Sequence, residues 1–194
     1  MLNKVIEIFI AMMILLPVFC LLNSIRFHSK KDTVGYFVFA TYMSAIYLFV
    51  GLPTLQFLRF DISITIVPFL PMIADLKNTL LNVILFVPFG FMIPVLWEKY
   101  NSMKETVTAG FCLSLMIELL QLLTYRATDI NDLIANTLGT LLGYFVFRML
   151  ACYIPTVMMF AKKKNEMNVI ILSVVLVMFF VQPYLANIYY QILL

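Results

Sequence analysis

Glu118, Gln121, Arg126, Asp129, Asp132 and Asn136 are gathered in one short stretch, IELLQLLTYRATDINDLIANTLG (117–139), of an otherwise apolar chain. Residues of these types can do three kinds of chemistry. A carboxylate can take or give a proton, a guanidinium can hold a phosphate through paired N–H donors, and amides can bind the polar head of an amphiphile. A divalent cation on Glu118, Asp129 and Asp132 would want further oxygens, and no histidine or ordered loop supports one, so no metal and no cofactor is expected. No Ser, His and Asp set can be assembled on one membrane face. The single histidine, His28, lies in a basic loop beside Lys30 and Lys31. An enzyme is therefore less expected than a binding protein.

Spacing says which faces carry these groups. Glu118 and Gln121 are three apart and share one helix face, with Ser114 one turn further in. Thr128 or Asp129 can cap the next helix, on which Asp132, Asn136 and Gly139 or Thr140 recur at helical intervals and Gly143 extends a small-residue edge. A third wall comes from NTLLNVILFVPFG, where Asn78 and Asn82 are four apart. Pro88 is expected to kink that helix near mid-membrane, exposing Phe89 and Gly90 to close approach and opening a cleft outwards. Asn82, Glu118, Gln121 and Asn136 would then converge below the surface, with Arg126, Asp129 and Asp132 at the mouth. An ionised carboxylate facing lipid costs about 3 kcal/mol on insertion scales, so Glu118 should face inwards.

The elements that position these residues are set by composition. Hydrophobic residues make up 63% of the chain and charged residues 12%, and mean hydropathy is +1.01, far from soluble domains. The reading is an all-α, polytopic membrane helix bundle with about six spans, at 5–25, 35–58, 78–97, 106–125, 133–154 and 168–191. Between spans two and three, RFDISITIVPFLPMIADLK is read as an external loop dipping along the interface, since Pro68 and Pro71 argue against another span. The whole of 1–194 reads as one integral membrane domain, and the run from Val5 to Leu22 as a retained span rather than a signal peptide. Arg26, Lys30, Lys31, Lys99, Lys104, Arg148 and Lys162 to Lys164 outnumber Lys4, Arg59, Lys77 and Arg126 on the opposite side. The positive-inside rule then puts both termini and the Arg126 turn outside. The KKKNE run at 162–166 reads as an anchor near anionic headgroups. Net charge of +3 is too small and scattered for nucleic-acid binding. Cys20, Cys112 and Cys152 are expected to be packing residues.

The pieces NVILFVPFG, IELLQ and RATDINDLIANTLGTLLG, in this order, resemble the VanZ-like family, and with the loop between them they cover about 78–145 of a core near 65–150. The resemblance points to Asn82, Pro88, Gly90, Glu118, Gln121, Arg126, Asp129, Asp132, Asn136, Gly139 and Gly143. It implies a helical membrane protein linked, for the founding member, to low-level resistance to teicoplanin and other lipidated glycopeptides acting outside the cell. Expected partners are membrane lipids, a lipid-linked cell-wall intermediate or a lipoglycopeptide. Two further readings stay open: an intramembrane enzyme acting on a lipid-linked envelope intermediate, with Glu118 or Asp129 as acid or base, and a small proton-coupled transporter with Glu118 as carrier.

Overall fold

A computed structural model describes residues 2–56, 58, 64–65, 75–124, 128–154 and 166–193. Arg126, most of the loop before the third helix and Lys162 to Lys164 lie outside the described residues. The helices are α1 (Leu2–Leu22), α2 (Lys30–Val50), α3 (Leu76–Leu96), α4 (Met103–Gln121), α5 (Ile130–Tyr153), α6 (Met167–Leu176) and α7 (Gln182–Leu193). A π turn, Asn23–Phe27, extends α1, and another, Val177–Val181, joins α6 to α7. Among the described residues, five stretches are long and apolar enough to cross a membrane: Asn3–Phe27, Lys30–Val50, Leu76–Leu96, Ile130–Tyr153 and Met167–Ile192. The remaining helix, α4, has 19 residues, among them Lys104, Glu105 and Glu118. This is the expected helical membrane bundle.

Several span ends differ from the sequence reading, and the second helix already starts at Lys30 rather than 35. The second helix stops at Val50 rather than 58, because Gly51 adopts the left-handed conformation (φ 65°) and its N–H bonds the Tyr47 carbonyl. The Tyr47 hydroxyl then donates to the Pro53 carbonyl and fixes the turn. The fourth helix stops at Gln121 rather than 125, and its last carbonyls are taken by a tight turn in which Leu123 N bonds Leu120 O and Thr124 N bonds Gln121 O.

The chain divides into two compact units, Met1–Arg59 with Glu166–Leu194, and Phe60–Asn165. In the first, the start of α1 lies beside the end of α2, where the Lys4 ammonium donates to the Leu48 carbonyl at 3.0 Å and suits the negative end of the helix dipole. Arg26 Nε, at the far end of α1, meets Glu166 Oε2 at the start of α6 at 2.5 Å. Glu166 is 2% exposed, so it is a buried partner of Arg26 and not part of a solvated anchor.

In the second unit α3 and α5 pack backbone to backbone. A Cβ added at Gly90 would lie 2.0 Å from the Thr140 carbonyl oxygen, one at Gly139 2.2 Å from that of Val83, and one at Gly143 2.1 Å from that of Val87. Only glycine permits this approach, as in other lipid-embedded helix pairs. α4 closes on the same edge, where Gly110 faces the Thr140 side chain. α3 runs unbroken through Pro88, which is exposed, while Phe89 and Gly90 are buried. A two-residue parallel pairing of β1 (Ile64–Thr65) with β2 (Thr128–Asp129) ties the loop before α3 to the turn before α5.

Candidate functional site

α3 and α5 both start, and α4 ends, at one pole of the second unit, and the polar residues collect there. Asp75 caps α3, its carboxylate accepting from Asn78 N at 3.2 Å and from Asn78 Nδ2 at 2.5 Å. Asp129 caps α5: its Oδ1 accepts from Asn131 N at 2.9 Å and from Asn131 Nδ2 at 2.7 Å. Carboxylates at both N-termini suit the positive ends of the dipoles.

Three contacts cross between helices. Asn82 Nδ2 donates to Asp132 Oδ1 at 2.6 Å and joins α3 to α5. Glu118 Oε2 accepts the Asp129 N–H at 2.9 Å, so the last turn of α4 holds the first residue before α5. Asn136 Nδ2 donates to Ser114 Oγ at 2.9 Å, one helical turn deeper. The Thr140 hydroxyl bonds back to the Asn136 carbonyl at 3.0 Å and lies against Gly110.

Exposure sorts these groups into a rim and a floor. Glu118 and Gln121 are each 3% exposed and Asn136 1%, whereas Asn82, Asp129 and Asp132 are half-buried. Glu118 lies three residues from the end of α4, about 4.5 Å at ~1.5 Å per residue. The span read from sequence, 106–125, would set it deeper, seven residues from the helix end. Glu118 faces inwards as expected, and its carboxylate does a definite job there by accepting a backbone donor that opens the next helix.

Chemically the pole is rich in acceptors. Carboxylates of Asp75, Glu118, Asp129 and Asp132 gather at it, and Asn136 Oδ1 is buried with no hydrogen-bond partner among the described residues. A buried carbonyl oxygen of this kind calls for a donor, which an ordered water or a bound group supplies.

The structure therefore brings together Asn82 with Asp132, and Glu118 with Asp129, and sets Asn136 beneath them on Ser114. Gln121 is buried on the same face of α4. Gly90, Gly139 and Gly143 belong to the α3–α5 contact rather than to the rim, and Pro88 lies exposed on α3. Gly110 and Asn131 were not singled out by sequence. Asn131 sits two residues after a capping aspartate, where an amide side chain readily returns to the cap. Gly110 shares the four-residue spacing of Thr106, Ser114 and Glu118, all of them buried.

Helices of this length and hydropathy, packed through glycine and carrying their polar groups inwards, define a multi-pass membrane protein. The VanZ/LLP1 family model matches residues 8–151, and the chain belongs to that family. The match takes in α1 and α2, which carry none of the recognised motifs. Protein VanZ of Enterococcus faecium is 34% identical over 71 residues, or 36% of this chain and 44% of that protein. The matched stretch thus spans less than half the length of that relative. No solved structure matches.

Proposed function

We propose that this protein is a non-enzymatic component of the bacterial cell membrane that binds an amphiphile at the pole formed by α3, α4 and α5. Its effect is low-level resistance to teicoplanin or another lipidated glycopeptide. The observation that carries the reading is the rim of Asn82, Asp129 and Asp132 held half-exposed over buried Glu118 and Asn136. Such a rim accepts the N–H and O–H donors in which peptide and sugar groups abound, while the apolar outer faces of the same helices suit a lipid tail. Family membership supports the reading, and so does the similarity to a protein named VanZ. Arg126 would stand at the mouth, on the outer side with both termini.

Glu118 is given a positioning role, since its carboxylate already holds the Asp129 N–H. The reading is tested by expressing the full chain in a susceptible strain and comparing growth inhibition by teicoplanin with that by vancomycin, a glycopeptide without the acyl chain. Protection against the lipidated compound alone, lost in Asp132→Leu and kept in Glu118→Gln, is the expected result. Equal sensitivity with and without the protein overturns the proposal. Loss in Glu118→Gln with Asp132→Leu unaffected would instead favour proton or acid–base chemistry at Glu118.

A further inference from the structure

The chain turns back into the membrane after α2. Beyond Gly51, Leu55 N donates to the Phe179 carbonyl at 3.2 Å. Phe179 is the thirteenth of the 26 residues in the stretch Met167–Ile192, about 18 Å from its start at ~1.5 Å per residue. That is near the middle of a hydrocarbon core about 30 Å thick. Irregular backbone at such depth is tolerated only where protein buries it or water reaches it. Leu55 is 47% exposed and Gln56 is exposed too, so the described residues do not bury this segment. We infer that water reaches mid-span here: residues 52–56 line a hydrated recess, and an ordered water stands on Gln182 at its floor.

The π turn between α6 and α7 supplies the groups that hold it. Gln182 N bonds the Val177 carbonyl, five residues back, which draws it away from the Met178 carbonyl that a regular helix would give it. The next N–H along would be that of residue 183, a proline, which has none. Pro183 likewise leaves the Phe179 carbonyl without its usual donor four residues on, and Leu55 takes that place. Gln182 is 3% exposed, and neither its Nε2 nor the Oγ1 of Thr54, the residue before Leu55, has a hydrogen-bond partner among the described residues. The junction thus presents an amide donor, a hydroxyl and a carbonyl acceptor, and a buried water typically makes about three hydrogen bonds. An amide and a hydroxyl kept dry would carry the full cost of their desolvation, and a lipid tail offers them no partner.

The test uses the full chain in lipid nanodiscs, with a brief X-ray pulse that turns water into hydroxyl radicals and mass spectrometry to read oxidation residue by residue. Met178 is fully buried and lies four residues before Gln182, on the same face. Met13 is 76% exposed on α1, within a stretch long and apolar enough to span the membrane. With water in the recess, Met178 should oxidise faster than Met13 despite its burial. Gln182→Leu, which removes an Nε2 with no protein partner to lose, should slow Met178 to the Met13 rate or below. In a cysteine-free chain, Gln56→Cys should react with a charged thiol reagent, and Phe180→Cys, at a position 48% exposed beside Phe179, should not. Met178 oxidation no faster than that of Met13, or Gln56→Cys as inert as Phe180→Cys, overturns the inference. Met178 oxidation unchanged in Gln182→Leu overturns the assignment of the water to Gln182.

Discussion

Gly90→Ala puts the α3–α5 contact to a direct test. The new methyl carbon would start 2.0 Å from the Thr140 carbonyl oxygen, 2.7 Å from its carbonyl carbon and 2.9 Å from its Cα. Real Cβ atoms do not approach other heavy atoms closer than 3.0 Å, so the two backbones must part by about 1 Å or α5 must bend. All three obstructing atoms are main-chain atoms, and no rotamer change relieves them. Overpacking that side chains can absorb costs about 1–3 kcal/mol, and a clash confined to backbone belongs at or above the upper end, near ~3 kcal/mol. Separation would also loosen the Asn82 to Asp132 bond, which bridges the same two helices. Trp97, the single tryptophan, is fully buried at the end of α3 and stacks edge-on with Tyr100 at 6.4 Å, so its emission reports unfolding of this unit. In a denaturing-detergent titration of purified protein, Gly90→Ala should shift the Trp97 transition to much lower denaturant, and Gly139→Ala should behave alike. A Gly90→Ala midpoint within error of the parent protein would refute backbone-to-backbone packing of α3 on α5.

Other consequences can be measured separately. Gly110→Ala meets the Thr140 side chain rather than backbone, so Thr140→Gly introduced with it should recover part of the lost stability by the same Trp97 assay, and it should not rescue Gly90→Ala. Arg26→Met leaves the Glu166 carboxylate, 3% exposed in its side chain, without its guanidinium, which typically costs about 3–5 kcal/mol. Glu166→Gln releases a side chain of Arg26 that is 44% exposed and should cost much less in thermal unfolding, so equal losses would contradict the asymmetry. A cysteine introduced at the exposed Ile130, in a protein whose three native cysteines are replaced by serine, should react with an impermeant thiol reagent from outside cells. Reaction only from the cytoplasmic side would reverse the orientation.

Much of the second unit is legible in sequence because its determinants are local. Asp129 is read as a cap from its place before an apolar helical repeat. Gly139 and Gly143 are read as a close-packing edge from their four-residue spacing, and the inward aim of Glu118 from the cost of facing lipid. What sequence does not supply is the partner surface. Gly110 gives no sign of importance until Thr140 of another helix is seen against it, and Glu166 is masked by the lysines before it until Arg26, distant in sequence, is found on its carboxylate. Hydropathy also fails to mark where a helix turns. Leu122 and Leu123 are as apolar as the residues before them, so the fourth span reads too long. At the second span Gly51 ends the helix, a stop that the span read from hydropathy, 35–58, runs past.

The central claim, that the acceptor-rich pole of α3, α4 and α5 binds an amphiphile, is tested most directly by equilibrium binding of fluorescent teicoplanin to the full chain in lipid nanodiscs. Empty nanodiscs provide the baseline for partition into lipid. Saturable binding beyond that baseline, competed by unlabelled teicoplanin and lost in Asp132→Leu while Trp97 emission shows that variant still folded, is the predicted result. Binding no greater than to empty nanodiscs, or saturable binding indifferent to Asp132→Leu, would contradict it.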